Sequence, residues 1–156
     1  MLSGAVKYAA RALSYLARHP DEPLLVREVA EATGIPGPYL AKIVNTLARR
    51  GFVATQRGVG GGVTLSRDPG ATSLYDLCVA LDDPIVETRC LLDQAECSDE
   101  RACPAHEFWK SHREVEIRFL RGTTIHEMAA FDARQERQPD APAAGQARSP
   151  DGRHQR

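Results

Sequence analysis

The apolar positions near the start recur with a helical period. Leu2, Val6, Ala9, Leu13 and Leu16 lie three or four residues apart and mark one face of a helix ending before His19-Pro20. A polar turn leads to a second predicted helix over residues 25–33, closed by Gly34. Pro36 and Pro38 open a third near its first turn, where a missing N–H costs little. It runs to Arg50 and is capped by Gly51. The period then changes. Residues 52–57 and 63–67 are β-prone runs around Gly-Val-Gly-Gly-Gly, which predicts a hairpin with a glycine-rich tip. After the breaker Asp68-Pro69-Gly70, Leu74, Leu77, Cys78 and Leu81 mark a fourth helix. From Pro104 a long helix reaches about Arg121, with Phe108, His112, Val115 and Phe119 spaced as a and d positions. A short helical piece is expected over 124–131. Beyond Asp132 no aliphatic side chain exceeds Ala, and disorder is expected. The fold class is therefore mainly α with a small β-hairpin, in the order of a winged helix-turn-helix followed by a long helix.

Composition adds bounds. The chain has 156 residues, 42% hydrophobic and 26% charged, enough for one ordinary globular domain plus an appendage. No stretch of eighteen apolar residues occurs, so no membrane helix is expected. Lys7 and Arg11 interrupt the N-terminal apolar face, which does not resemble a secretory signal. A cytoplasmic location, with reduced thiols, is the expectation. The net charge of −1 conceals an asymmetry. Residues 1–70 carry nine Lys/Arg against five Asp/Glu, whereas residues 71–134 carry seven against thirteen. The basic half is where a polyanion would bind.

The helix order gives that half a chemistry. Ala30 is small where two helices must cross, Gly34 sits in the tight turn, and Leu40 and Ile43 bury the inner face of the third helix. That helix would enter the major groove. Its outward positions are Tyr39, Lys42 and Asn45, with Arg49 and Arg50 at its end, suited to phosphates and base edges. Arg57 precedes the hairpin tip and could enter a narrow minor groove. Gly60 and Gly61 would let the backbone approach a phosphate strand. No nucleophile–base pair, and no strand–glycine loop–helix order for phosphate, points to an enzyme.

The second chemistry lies in the acidic half. Cys90, Cys97 and Cys103 fall within fourteen residues, and His106 follows three positions after the last. Thiolate and imidazole hold iron–sulfur clusters or zinc. Zinc accepts three Cys and one His but usually brings a Cys-x-x-Cys knuckle, absent here. Thiols used directly as a redox switch are a further reading. Cys78, on an apolar stripe, reads as a small buried hydrophobe. His112 reads as packing, and Glu107 as an alternative oxygen ligand.

Four segments carry a family resemblance. They are KYAARAL, VAEATGIPGPYLAKIVNTLARRGFV, RGVGGGVTLSR and the cysteine loop ending in CPAHEFW. Over about residues 1–130 the chain resembles the IscR/NsrR-like bacterial winged-helix iron–sulfur transcriptional regulators. The resemblance implies a homodimer paired through the long helix, with Trp109 in its interface, operator DNA as partner, and a cluster whose state alters DNA affinity. It implies Cys90, Cys97 and Cys103 as cluster ligands, with His106 completing the site as in IscR-like members. NsrR-like members use an acidic residue near the N-terminus, where this chain has Lys7, which favours [2Fe–2S] over [4Fe–4S]. The first cysteine interval holds six residues where the closest pattern holds five, and Pro36-Gly37-Pro38 stands where IscR-like members carry serines. The expected organisation is a DNA-binding domain (1–70), a cluster loop with dimerisation helix (71–132) and a disordered tail (133–156).

Overall fold

The structure, a computed structural model, describes residues 1–87, 89–92 and 97–137. Helix α1 (Gly4–Ala17) starts where the Ser3 hydroxyl accepts the Val6 N–H and buries Val6, Ala9, Leu13 and Leu16. Helix α2 (Val26–Thr33) begins with the Glu28 carboxylate accepting the Leu25 N–H at 2.8 Å. It ends at Gly34, whose φ of +66° is the left-handed cap that glycine adopts without strain. The Arg11 guanidinium donates to the Thr33 carbonyl and so ties α1 to the end of α2. Helix α3 (Gly37–Arg49) then buries Leu40, Ile43, Val44 and Leu47 against both. Each such side chain contributes about 1.5–3 kcal/mol.

Strands β1 (Val53–Gln56) and β2 (Gly62–Leu65) pair antiparallel, Val53 opposite Leu65 and Gln56 opposite Gly62. Leu24 joins them: its N–H donates to the Val63 carbonyl at 3.1 Å and its carbonyl accepts the Val63 N–H at 2.8 Å. The wing is thereby stitched to the entrance of α2.

Helix α4 (Leu74–Ala80) opens with a capping box between Ser73 and Asp76. The cysteine loop follows, and the long helix α5 (His106–Gly122) after it. The far end of α5 is anchored where the Leu74 N–H meets the Thr123 carbonyl and the Ile125 N–H meets the Thr72 carbonyl, both at 2.9 Å. Among the described residues no helix is long and apolar enough to cross a membrane.

Helix α6 (Ile125–Arg137) extends past Phe131 and through residues 133–137, where disorder was expected. The reason is tertiary. The helix lies along α1, Asp132 accepts from Ser14, and Glu136 pairs with Arg18 at 2.5 Å. None of this shows in the local apolar pattern. The rest of the expected tail, residues 138–156, lies outside the described residues, as do residues 93–96 of the cysteine loop.

Candidate nucleic-acid interface and metal centre

Of the positions predicted to meet DNA, Tyr39, Lys42, Asn45, Arg49, Arg50, Arg57 and Gly60 are exposed on α3 and the wing, whereas Gly61 is buried. Lys42, Asn45, Arg49 and Arg50 are exposed on the outer side of α3, opposite its buried row. Tyr39 is 40% exposed, its ring braced edge-to-face by Tyr8 at 5.5 Å. Arg50 lies 3.7 Å from Asp82, at the root of the cysteine loop. Arg57 and Gly60 are exposed at the wing tip. Gly61 is different: a Cβ there would come within 2.3 Å of the Gln56 carbonyl oxygen. Its glycine is demanded by the turn itself, whatever lies beyond the tip.

Two residues of this face escaped the sequence reading. Val59, fully exposed between Gly58 and Gly60, puts an apolar side chain into solvent in the wing turn. Arg67 donates from Nε to the Gly51 carbonyl at 3.1 Å and from Nη2 to the Arg50 carbonyl at 2.7 Å. Its guanidinium also lies 4.0 Å over the Phe52 ring. One side chain thus neutralises the carbonyl end of α3 and holds the wing strand to it. Val59 carries no pattern that could have marked it. Arg67 could have been suspected, as a cation following a strand that returns to a helix end.

The cysteine site is assembled from three directions. Asp83, 2% exposed, accepts the Ser3 N–H at 2.9 Å and the Ile85 N–H at 3.0 Å. Burial alone would raise its carboxyl, but these hydrogen bonds outweigh that and hold it below the usual carboxylate range. The loop root is thereby fastened to the start of α1. Next, the Trp109 indole N–H donates to the Arg89 carbonyl at 2.7 Å and pins the chain one residue before Cys90. Trp109, expected at a dimer interface, thus has a partner within its own chain. Finally, the His106 N–H donates to the Cys103 carbonyl at 2.9 Å, seating Cys103 at the first turn of α5.

These tethers set Cys97 beside His106, with Cys90 and Cys103 near enough to act on the Cys97 thiol. His106 is 4% exposed, with Nδ1 3.6 Å from the Cys97 sulfur. Cys97 is half-buried, and desolvation, then the neighbouring Cys90 and Cys103, raise its thiol, while Arg113 acts in the opposite sense. Thiols that resist ionising side by side are relieved by a cation among them. Soft sulfur donors with one imidazole suit iron or zinc, so the residues present fit a metal or cluster.

The other ring nitrogen, Nε2, lies 2.8 Å from Asp99 Oδ1. Oxygens of Asp99 and Glu107 and a ring nitrogen of His106 all fall within 4.8 Å of one another. However, the Lys110 ammonium bonds both Asp99 oxygens, at 2.8 and 3.0 Å, and already supplies that carboxylate with a cation. Those contacts, Lys110 first and His106 second, hold the Asp99 carboxyl below its usual range.

Cys78 stands apart, fully buried in α4, and burial, then Asp83 and Glu116, push its thiol up to about 11. On α5, Phe108, Val115 and Phe119 are more than 60% exposed. His112, expected to pack, is exposed, its ring stacked 6.0 Å from Phe108 and 5.6 Å from Trp109.

Comparison with known proteins agrees with this architecture. Residues 2–130 match the Rrf2 family profile, described as an iron-dependent transcriptional regulator. An HTH-type transcriptional regulator assigned in Aquifex aeolicus (strain VF5) is 33% identical over 130 residues, covering 82% of this chain and 90% of that protein. The HTH-type transcriptional regulator IscR of Yersinia pestis is 30% identical over 128 residues, covering 81% and 77%. Among solved structures, CymR (YrzC), the global cysteine regulator of B. subtilis, superposes with a TM-score of 0.72 at 26% identity, over 84% of this chain and 97% of that one. T. potens IscR gives 0.66 at 22% identity, over 88% and 90%, a likeness of fold.

Proposed function

Because this chain belongs to the Rrf2 family of transcriptional regulators, and is a DNA-binding winged-helix protein rather than an enzyme, we propose that an iron–sulfur cluster controls its affinity for operator DNA. Cys90, Cys97, Cys103 and His106 would hold the cluster, with [2Fe–2S] favoured by the imidazole. The observation that carries this reading is the buried His106 imidazole, one nitrogen of which faces Cys97 at 3.6 Å beside the other two cysteines. When bound, the cluster supplies a one-electron redox centre whose loss is chemically easy to trigger.

The protein binds DNA as a homodimer in this reading. Phe108, Val115 and Phe119 form an apolar row on α5 of the kind a second α5 would cover. Two copies of α3 would enter successive major grooves, about 34 Å apart. Lys42, Asn45, Arg49 and Arg50 would contact backbone and base edges. Arg57, with Gly60 and Gly61 behind it, would follow the adjacent minor groove.

The cysteine loop connects α4, beside the DNA-binding half, to α5. Ordering it fixes α5 relative to the winged helices and so sets the spacing of the pair. A coupling of roughly 1–3 kcal/mol changes affinity about 5- to 150-fold. The test is anaerobic purification with iron, sulfide and zinc analysis, then gel shifts of holo and apo protein on a duplex selected from a random library. Bound iron with unequal affinities is expected. Iron-free protein, or equal affinities, would overturn the reading.

One observation favours a second reading. Cys97 lies within hydrogen-bonding reach of the Cys90 thiol, so in the absence of metal the pair could act as a thiol switch. Stoichiometric zinc in colourless protein would instead indicate a zinc-stapled DNA binder.

A further inference from the structure

We propose that Asp99, clamped by Lys110, is the positioning residue for His106: it selects Nδ1 as the ligand atom and sets how strongly the imidazole donates. The inference rests on the iron–sulfur reading above and adds a residue outside its ligand set.

A neutral imidazole has one N–H and one lone pair, and a carboxylate only accepts. Nε2 faces Asp99 Oδ1 at 2.8 Å, so the ring proton sits there. The lone pair is then on Nδ1, the nitrogen directed at the Cys97 sulfur. At 4% exposure the ring has little water to compete for either nitrogen. The other tautomer would leave a proton facing the sulfur and a lone pair facing a carboxylate, which is repulsive, and a ring flip would put C–H groups in both places.

Asp99 is itself held. The Lys110 ammonium reaches both its oxygens, and Lys110 stands one helical turn after His106 on α5. Ligand, orienting carboxylate and clamp therefore form a chain rooted in the first turns of α5. A carboxylate that accepts the far N–H of a ligating histidine makes it a stronger donor, and losing such a partner typically costs 10–100-fold in metal affinity. A stronger donor with a nearby negative charge favours the oxidised cluster.

The test compares anaerobically purified wild type with Asp99→Leu, which removes the acceptor, and Asp99→Asn, which keeps an acceptor oxygen but no charge. Circular dichroism checks folding, and iron and sulfide are counted per chain. The dithionite-reduced proteins are read by electron paramagnetic resonance with nitrogen hyperfine coupling, by reduction potential, and by the rate of iron release to a chelator. Asp99→Leu is expected to show an altered histidine nitrogen coupling and iron release about 10- to 100-fold faster. Asp99→Asn should show a raised potential with the coupling largely kept. Should Asp99→Leu not fold, Asp99→Asn alone decides through its potential. Iron-loaded variants indistinguishable from wild type in coupling, potential and release would overturn the inference and leave the cluster reading standing. Wild type without iron would remove both.

Discussion

At the scale of single residues, the four cysteines divide by environment. Cys78 is sealed in α4, and its ionisation is pushed up to about 11 from an ordinary 9.0. Between those values the unfolded chain gives up a proton that the folded chain keeps, so stability falls as pH rises. The loss from Cys78 approaches about 1.4 kcal/mol per pH unit, so the fall in stability should be shallower in Cys78→Ala, measured by urea unfolding at pH 8, 9 and 10. Iodoacetamide on native apo protein should label Cys90, Cys97 and Cys103 but spare Cys78, as mass spectrometry would show. Cys78's role was legible from its apolar stripe. Asp99's was not: its ring partner lies seven residues on, across a loop whose path follows from tethers such as Trp109 to Arg89.

At the scale of elements, helices closed by glycine were the most legible. Gly34 and Gly51 act through their immediate neighbours, and the change of period at Phe52 announced the wing. Partners distant in sequence were not legible. The Leu24–Val63 bridge and the union of α6 with α1 join segments 39 or more residues apart. The wing supports a test that separates two glycines. Gly61→Ala would force a Cβ against the Gln56 carbonyl and distort the tip, whereas Gly60→Ala meets open space and incurs only the cost of its φ of +74°, about 1–2 kcal/mol. Gly61→Ala should therefore weaken operator binding more, by fluorescence anisotropy, with helical circular dichroism unchanged. Equal effects would show that the close approach is easily relieved.

Across the whole molecule, α5 is bound at both ends. Its first turns carry the cysteine site, and its last residues are hydrogen-bonded to the start of α4. Between them the apolar row on its outer side remains open in a single chain. Phe119→Glu would place a charge in that row. The expected outcome in sedimentation is a shift from dimer to monomer, with operator affinity falling by tenfold or more as the two half-sites uncouple. An unchanged sedimentation profile would mean that the row is covered by something other than a second copy.

The Trp109–Arg89 hydrogen bond has a practical consequence. The chain contains one tryptophan, and it happens to be the side chain that fastens the loop beside Cys90. Release of that loop would expose the half-buried indole further and shift its emission to longer wavelength. The protein thus carries a built-in optical probe at its proposed hinge, and stopped-flow mixing could time the release without any added dye.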